Sequence, residues 1–177
     1  MRKLKYYVAC SVDGFIAHED DSWDGFLFEG EPVKDYIESL NHFDIVFMGR
    51  RTYEMGLKDG KTDPYPTMKS YVFSRTMKES PDPKVEIVKE NIGELVRSLQ
   101  QENGQDIYLC GGAKLATSMF AEKLIDELVL KINPFIMGSG IPLFSGIVKQ
   151  TSLKLIKSMT YDNGFVVLHY QVNYDKN

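Results

Sequence analysis

Apolar positions along this chain follow two rhythms. Compact runs at Tyr6–Cys10, Ile45–Met48, Ser70–Phe73, Val85–Val88, Asp106–Cys110 and Glu127–Ile132 are rich in strand formers and read as strands. Between them, Val33, Tyr36, Ile37 and Leu40 recur at i, i+3, i+4 and i+7, as do Ile92, Leu95, Val96 and Leu99. That spacing lines up one face of a helix. Pro32 suits the first turn of the earlier helix, and Asn91 with Glu94 has capping-box spacing for the later one. A further helix runs from Ala113 to Lys123 with Leu115, Met119 and Phe120 inward. Near the C-terminus, Leu153–Lys157 and Phe165–Val172 flank Asp162-Asn-Gly164, a strong hairpin signal. Strands alternating with helices, closed by a hairpin, predict an α/β fold with a mixed, mostly parallel central sheet. No internal repeat or low-complexity linker divides the chain, so one domain is expected over 1–177.

Two strand ends carry candidate chemistry. Ile45–Met48 runs into Gly49, then Arg50, Arg51 and Thr52, with Tyr53-Glu-Met55 continuing as helix until Gly56. Free backbone N–H groups, the positive end of a helix and two guanidinium groups would together form an anion site. The alternative is a strand followed by a solvated turn. Asp106–Cys110 runs into Gly111 and Gly112, which remove side chains where backbone must approach something closely, such as a pyrophosphate. A tight turn is the alternative there, and the pattern is not the G-x-G-x-x-G fingerprint of a Rossmann site. Ser74-Arg75-Thr76 repeats the hydroxyl and guanidinium theme after Phe73. Trp23, the sole tryptophan, sits in the acidic loop from His18 to Asp24, either covering core or walling a substrate pocket.

Composition narrows the functions. At 43% hydrophobic the 177 residues can bury a real core, and a net charge of −4 argues against a general nucleic-acid binder. Cys10 and Cys110 lie in or beside apolar runs and read as core thiols; His18, His42 and His169 are scattered, so no metal site is expected. No apolar run approaches membrane-spanning length and no secretory leader follows the basic N-terminus, so a cytoplasmic protein is expected.

Taken together, Ser11-Val-Asp-Gly14, Met48–Glu54, Val72–Arg75, Cys110–Ala113 and Asn133–Phe144 resemble, in order and spacing, the dihydrofolate-reductase-like superfamily. The chain looks most like stand-alone relatives of the reductase domain of the bifunctional riboflavin-biosynthesis deaminase/reductase. The resemblance implies an NADPH-dependent reductase of a small heterocycle, such as the ribosylaminouracil of riboflavin synthesis. A dihydrofolate reductase and a non-catalytic NADP-binding protein are the alternatives. It implies that Gly49, Arg50, Arg51 and Thr52 hold cofactor phosphates and that Ser74 and Arg75 hold the adenosine 2′-phosphate. Gly111, Gly112, Ala113, Lys114 and Leu115 would hold the pyrophosphate, and Ala9, Ile16 and Ala17 would lie beside the nicotinamide. It also implies a homodimer, for which the Asn133–Phe144 loop and the closing hairpin offer surface. Folate reductases carry an acid on the helix after the tryptophan. Here the spacing from Trp23 differs, and the catalytic group is left open with Glu31 and Asp35 as candidates.

Overall fold

The computed structural model describes residues 1–146 and 148–174. Six parallel strands form most of one eight-stranded sheet: β1 (Leu4–Ser11), β3 (Phe43–Gly49), β4 (Lys69–Phe73), β5 (Val85–Val88), β6 (Asp106–Gly111) and β7 (Glu127–Asn133). β9 (Ser152–Thr160) and β10 (Val166–Asn173) complete it as an antiparallel hairpin, in the order β5-β4-β3-β6-β1-β7-β10-β9. β2 (Phe15–Ala17) and β8 (Ile141–Pro142) form a separate antiparallel pair. The hairpin turn falls where Asn-Gly predicts it: Gly164 adopts φ 84° and its N–H donates to the Tyr161 carbonyl at 2.9 Å.

The sheet is covered on both faces, which explains the unbroken apolar runs of its parallel strands. α3 (Ile92–Gln101) and α4 (Ala113–Ala121) cover one face, where Val96, Leu99, Leu115 and Met119 meet Phe47 and Leu109. α1 (Glu31–Ser39) and α2 (Arg50–Lys58) cover the other, where Tyr36 and Tyr53 meet Val46, Met48 and Tyr108. Phe47 is fully buried at the centre, and truncating it to alanine would cost about 3–5 kcal/mol. Among the described residues, no helix is long and apolar enough to cross a membrane.

Three expectations are corrected. α2 starts at Arg50, at the helix start expected there, but does not stop at Gly56 and runs on to Lys58. Ile37 is 58% exposed, whereas Tyr36 and Leu40 pack on the core, so only part of the α1 apolar stripe is covered. Asn91 does precede α3, but in a left-handed conformation (φ 55°) with no side-chain cap, so no capping box forms. The Asn133–Phe144 loop is pinned by Asp13, whose carboxylate accepts the N–H groups of Met137 at 3.0 Å and Gly138 at 2.8 Å. The Ser11 hydroxyl, donating to the same carboxylate, and then these two N–H groups hold the Asp13 carboxyl down to about 2.

Candidate functional site

The parallel strands β3, β6 and β1 are neighbours, so their carboxyl ends share one edge of the sheet. A cleft of about 1630 Å³ opens along that edge. One end is built from turns. α2 and α4 both start there, directly after Gly49 and Gly112, and among the described residues no side chain caps their first N–H groups. The two starts touch. A Cβ on Gly49 would stand 3.4 Å from the Gly112 nitrogen, and one on Gly112 would stand 3.3 Å from the Thr52 hydroxyl. The first is ordinary contact and the second is tight, so Gly112 is the position where a side chain would force its neighbour to give. The Gly111–Gly112 peptide is cis.

The neighbouring turn after β4 joins this end. Ser74 is buried, and its hydroxyl accepts the N–H groups of Thr76 and Met77 at 3.3 and 3.0 Å. Arg50 donates to the Thr76 hydroxyl at 2.7 Å and pairs with Glu54 at 3.4 Å. Arg75 is exposed on the cleft lip and forms no ion pair among the described residues. Ala113 and Leu115 are buried under the α4 start, while Lys114 is exposed at the cleft. Two uncapped helix starts with Arg50, Arg75 and Lys114 around them can hold an extended polyanion. Arg51 is arranged differently. Its guanidinium pairs with Asp21 at 2.7 Å and donates to the Glu19 carbonyl at 3.3 Å, tying the acidic loop to α2.

Ala9, Ile16 and Ala17 line the middle of the cleft. Trp23 lines it too, 40% exposed and edge-on to Phe28 with ring centres 6.4 Å apart. The loop carrying it is anchored by buried Asn133, whose side-chain oxygen accepts the Leu27 N–H at 2.9 Å.

The other end is built from side chains. Tyr7, Tyr36, Tyr65, Tyr108, Cys110 and Lys131 converge there. Tyr7 stands edge-on to Tyr36 at 5.4 Å and Tyr65 edge-on to Tyr108 at 5.5 Å. The Tyr36 and Tyr108 hydroxyls bond at 3.0 Å, and Tyr65 meets the Cys110 sulfur at 3.3 Å. Burial pushes Tyr36 up to about 12 and Tyr65 and Tyr108 well above the phenol range, so these hydroxyls stay neutral. The Lys131 ammonium lies 3.2 Å from the Tyr36 ring centre and 5.0 Å from that of Tyr7. Burial lowers its pKa from 10.5 to about 8, against an opposing contribution from Cys110.

Glu31 and Asp35 do not line the cleft. Glu31 is exposed at the start of α1, and Asp35 accepts the Tyr161 hydroxyl at 2.8 Å from the hairpin turn. The acid sought on α1 is absent from this wall because the helix presents Pro32, Val33 and Tyr36 to the cleft instead. Sequence reasoning passed over Lys131 and treated Cys110 as core. The available signal was a lysine inside the apolar run Glu127–Ile132, since a strand buried on both faces has no ordinary place for one. Among the described residues, no cluster of His, Cys, Asp and Glu could hold a metal ion.

The model of the RibD C-terminal domain family matches residues 2–167. YwjB of Bacillus subtilis (strain 168), an uncharacterized protein, is 36% identical over 170 residues, 96% of this chain and 97% of its own. A candidate riboflavin biosynthesis protein from Shewanella sp. PV-4 has the same fold, with a TM-score of 0.83 at 27% identity over 98% of this chain and 100% of that one. Dihydrofolate reductase from Enterococcus faecalis, solved with NADP(H), superposes with a TM-score of 0.70 over 97% of each chain. At 16% identity that likeness is one of fold. The fold implied by the sequence motifs is the one observed, and reductases are among its structural relatives.

Proposed function

The chain belongs to the RibD C-terminal domain family, and from that premise we propose that it is an NADPH-dependent reductase of a small heterocycle. The observation that carries this reading is the nesting of two uncapped helix starts at one end of a cleft whose other end is tyrosine-lined. NADPH fits the turn-built end: Gly49–Thr52 and Gly111–Leu115 would take its phosphates, and Ser74 and Arg75 its 2′-phosphate. Bound there, the cofactor would supply a hydride. The chain's own part is to hold it, to place a flat ring among Tyr7, Tyr36 and Tyr108, and to keep water out by burial.

The substrate we favour is 5-amino-6-(5-phosphoribosylamino)uracil, the compound named for the reductase half of a structural relative from Thermotoga maritima. A planar, hydrogen-bonding pyrimidine suits an aromatic pocket with phenolic hydroxyls. Dihydrofolate reduction is the weaker reading, because no carboxylate of α1 faces the cleft. NADPH oxidation measured against pterins, aminouracils and flavin precursors tests it. Turnover of an aminouracil is expected; NADPH binding with no turnover of any of them would instead favour a non-catalytic NADP-binding protein. The reading includes a homodimer. Among the described residues β9 pairs only with β10, and Leu153, Leu155 and Ile156 are left between 42% and 50% exposed. Light scattering at micromolar concentration should give twice the chain mass, and Leu155→Lys should lower it; a monomer in the unsubstituted protein refutes the pairing.

A further inference from the structure

Lys131 is an unusual residue for its place. It sits on β7 between Leu130 and Ile132, in register with Ala9 of β1 and Val167 of β10. Its ammonium enters the cleft and stacks on Tyr36 and Tyr7. Tyr108 and Cys110 of β6 and Tyr65 line the same pocket, as neutral groups in the case of the two phenols. Asp35 on α1 is engaged by Tyr161, and Lys131 forms no ion pair among the described residues. A half-buried lysine held by ring faces alone gains modestly from those contacts while losing much of its hydration. Such an arrangement at the mouth of a pocket is typical of a group that works by changing its charge.

Resting on the reductase reading above, we propose that Lys131 is the proton donor of the reaction. Ala9, its register partner, lies where the resemblance places the nicotinamide, so the amine stands next to the reacting ring. Hydride addition to the carbon of a C=N or C=O bond leaves that bond's electron pair on the nitrogen or oxygen. That atom takes a proton from Lys131 Nζ, and the reduced cofactor becomes the oxidised one. The neutral amine then regains its proton from solvent. The phenols around it are too weak as acids to serve, whereas an ammonium titrating near 8 is matched to neutral pH.

Two measurements on the full chain test this. The first labels lysines by reductive methylation with ¹³C-formaldehyde and follows each dimethylamine by NMR as pH changes, with Lys131→Arg identifying the relevant signal. A midpoint near 8 is expected; a midpoint in the ordinary surface range near 10.4 overturns the proposal whether or not a substrate is known. The second measures kcat and KM against pH, using whichever heterocycle of the panel turns over. Activity should fall above a pH near 8. Lys131→Arg, which keeps the charge but does not release a proton, should lower kcat by about a hundredfold or more with KM changed only a few-fold. Lys131→Met should do the same while still binding NADP⁺. Near-normal kcat in Lys131→Arg would mean that the residue merely holds an anion, and the proposal fails alone. No turnover by the unsubstituted protein removes the reductase reading and the proton donor together.

Discussion

The two ends of the cleft are made of different material. The turn-built end is mostly main chain: Gly49 and Gly112 leave backbone partly open to the cleft, and the first N–H groups of α2 and α4 are free to meet an anion. The tyrosine-built end is entirely side chain, with Tyr7, Tyr36, Tyr65, Tyr108 and Lys131 arriving from separate parts of the sequence. A backbone site depends on a few residues that must stay small. A side-chain site tolerates backbone changes but depends on the chemistry of each group it assembles.

The largest expected effect breaks the turn-built end and spares the other. Gly112→Val would push a branched side chain at the Thr52 hydroxyl, 3.3 Å from even the first added carbon. NADPH affinity should fall on the order of a hundredfold, about 3 kcal/mol. Lys131 should titrate as before, and calorimetry with NMR on one sample reads both. Next, Arg75→Ala should weaken NADPH by about tenfold to a hundredfold and leave NADH nearly unchanged. Equal affinities for the two cofactors before substitution would remove Arg75 from that role.

At the tyrosine-built end, Lys131→Met should raise stability by about 1–2 kcal/mol at pH 7, even as it removes activity. The sign follows from the lowered pKa: the unfolded chain binds this proton up to 10.5, the folded chain only to about 8. The penalty is therefore complete below about 8 and disappears as pH rises past 10.5. Urea unfolding of both proteins at pH 7 and in that alkaline range should show the gap closing. The smallest effect on stability belongs to Trp23→Phe. Because Trp23 is 40% exposed, the change should cost less than about 1 kcal/mol, yet impair turnover or substrate affinity if the ring walls the pocket. Easy unfolding with unchanged turnover would place Trp23 outside the working site.

The same contrast explains what could be read from the sequence. Strand, glycine and helix start are adjacent in the chain, so Gly49–Thr52 and Gly111–Leu115 were legible as junctions, and so was the sheet they terminate. The placing of single side chains was less so. Arg51 is one residue from Arg50 yet turns to Asp21, because consecutive helical positions point about 100° apart. Ile37 matches the apolar stripe but stays outside, since periodicity does not say how far a helix overlaps its sheet. The tyrosine pocket has no local signature at all. Tyr7 and Tyr108 read as strand core and Tyr36 as helix stripe, and only the folded chain shows that their rings meet and that the Tyr36 and Tyr108 hydroxyls bond.

Trp23 also gives this protein an optical property. It is the sole indole, it stands partly open to solvent, and it borders the cleft in which NADPH is proposed to bind. Reduced nicotinamide absorbs light of the wavelengths that indole emits, so excitation could pass from the protein to a cofactor bound in the same cleft. The chain thus carries its own lamp beside the site: binding would dim the tryptophan and brighten the cofactor, and oxidation would restore the first signal as it extinguished the second.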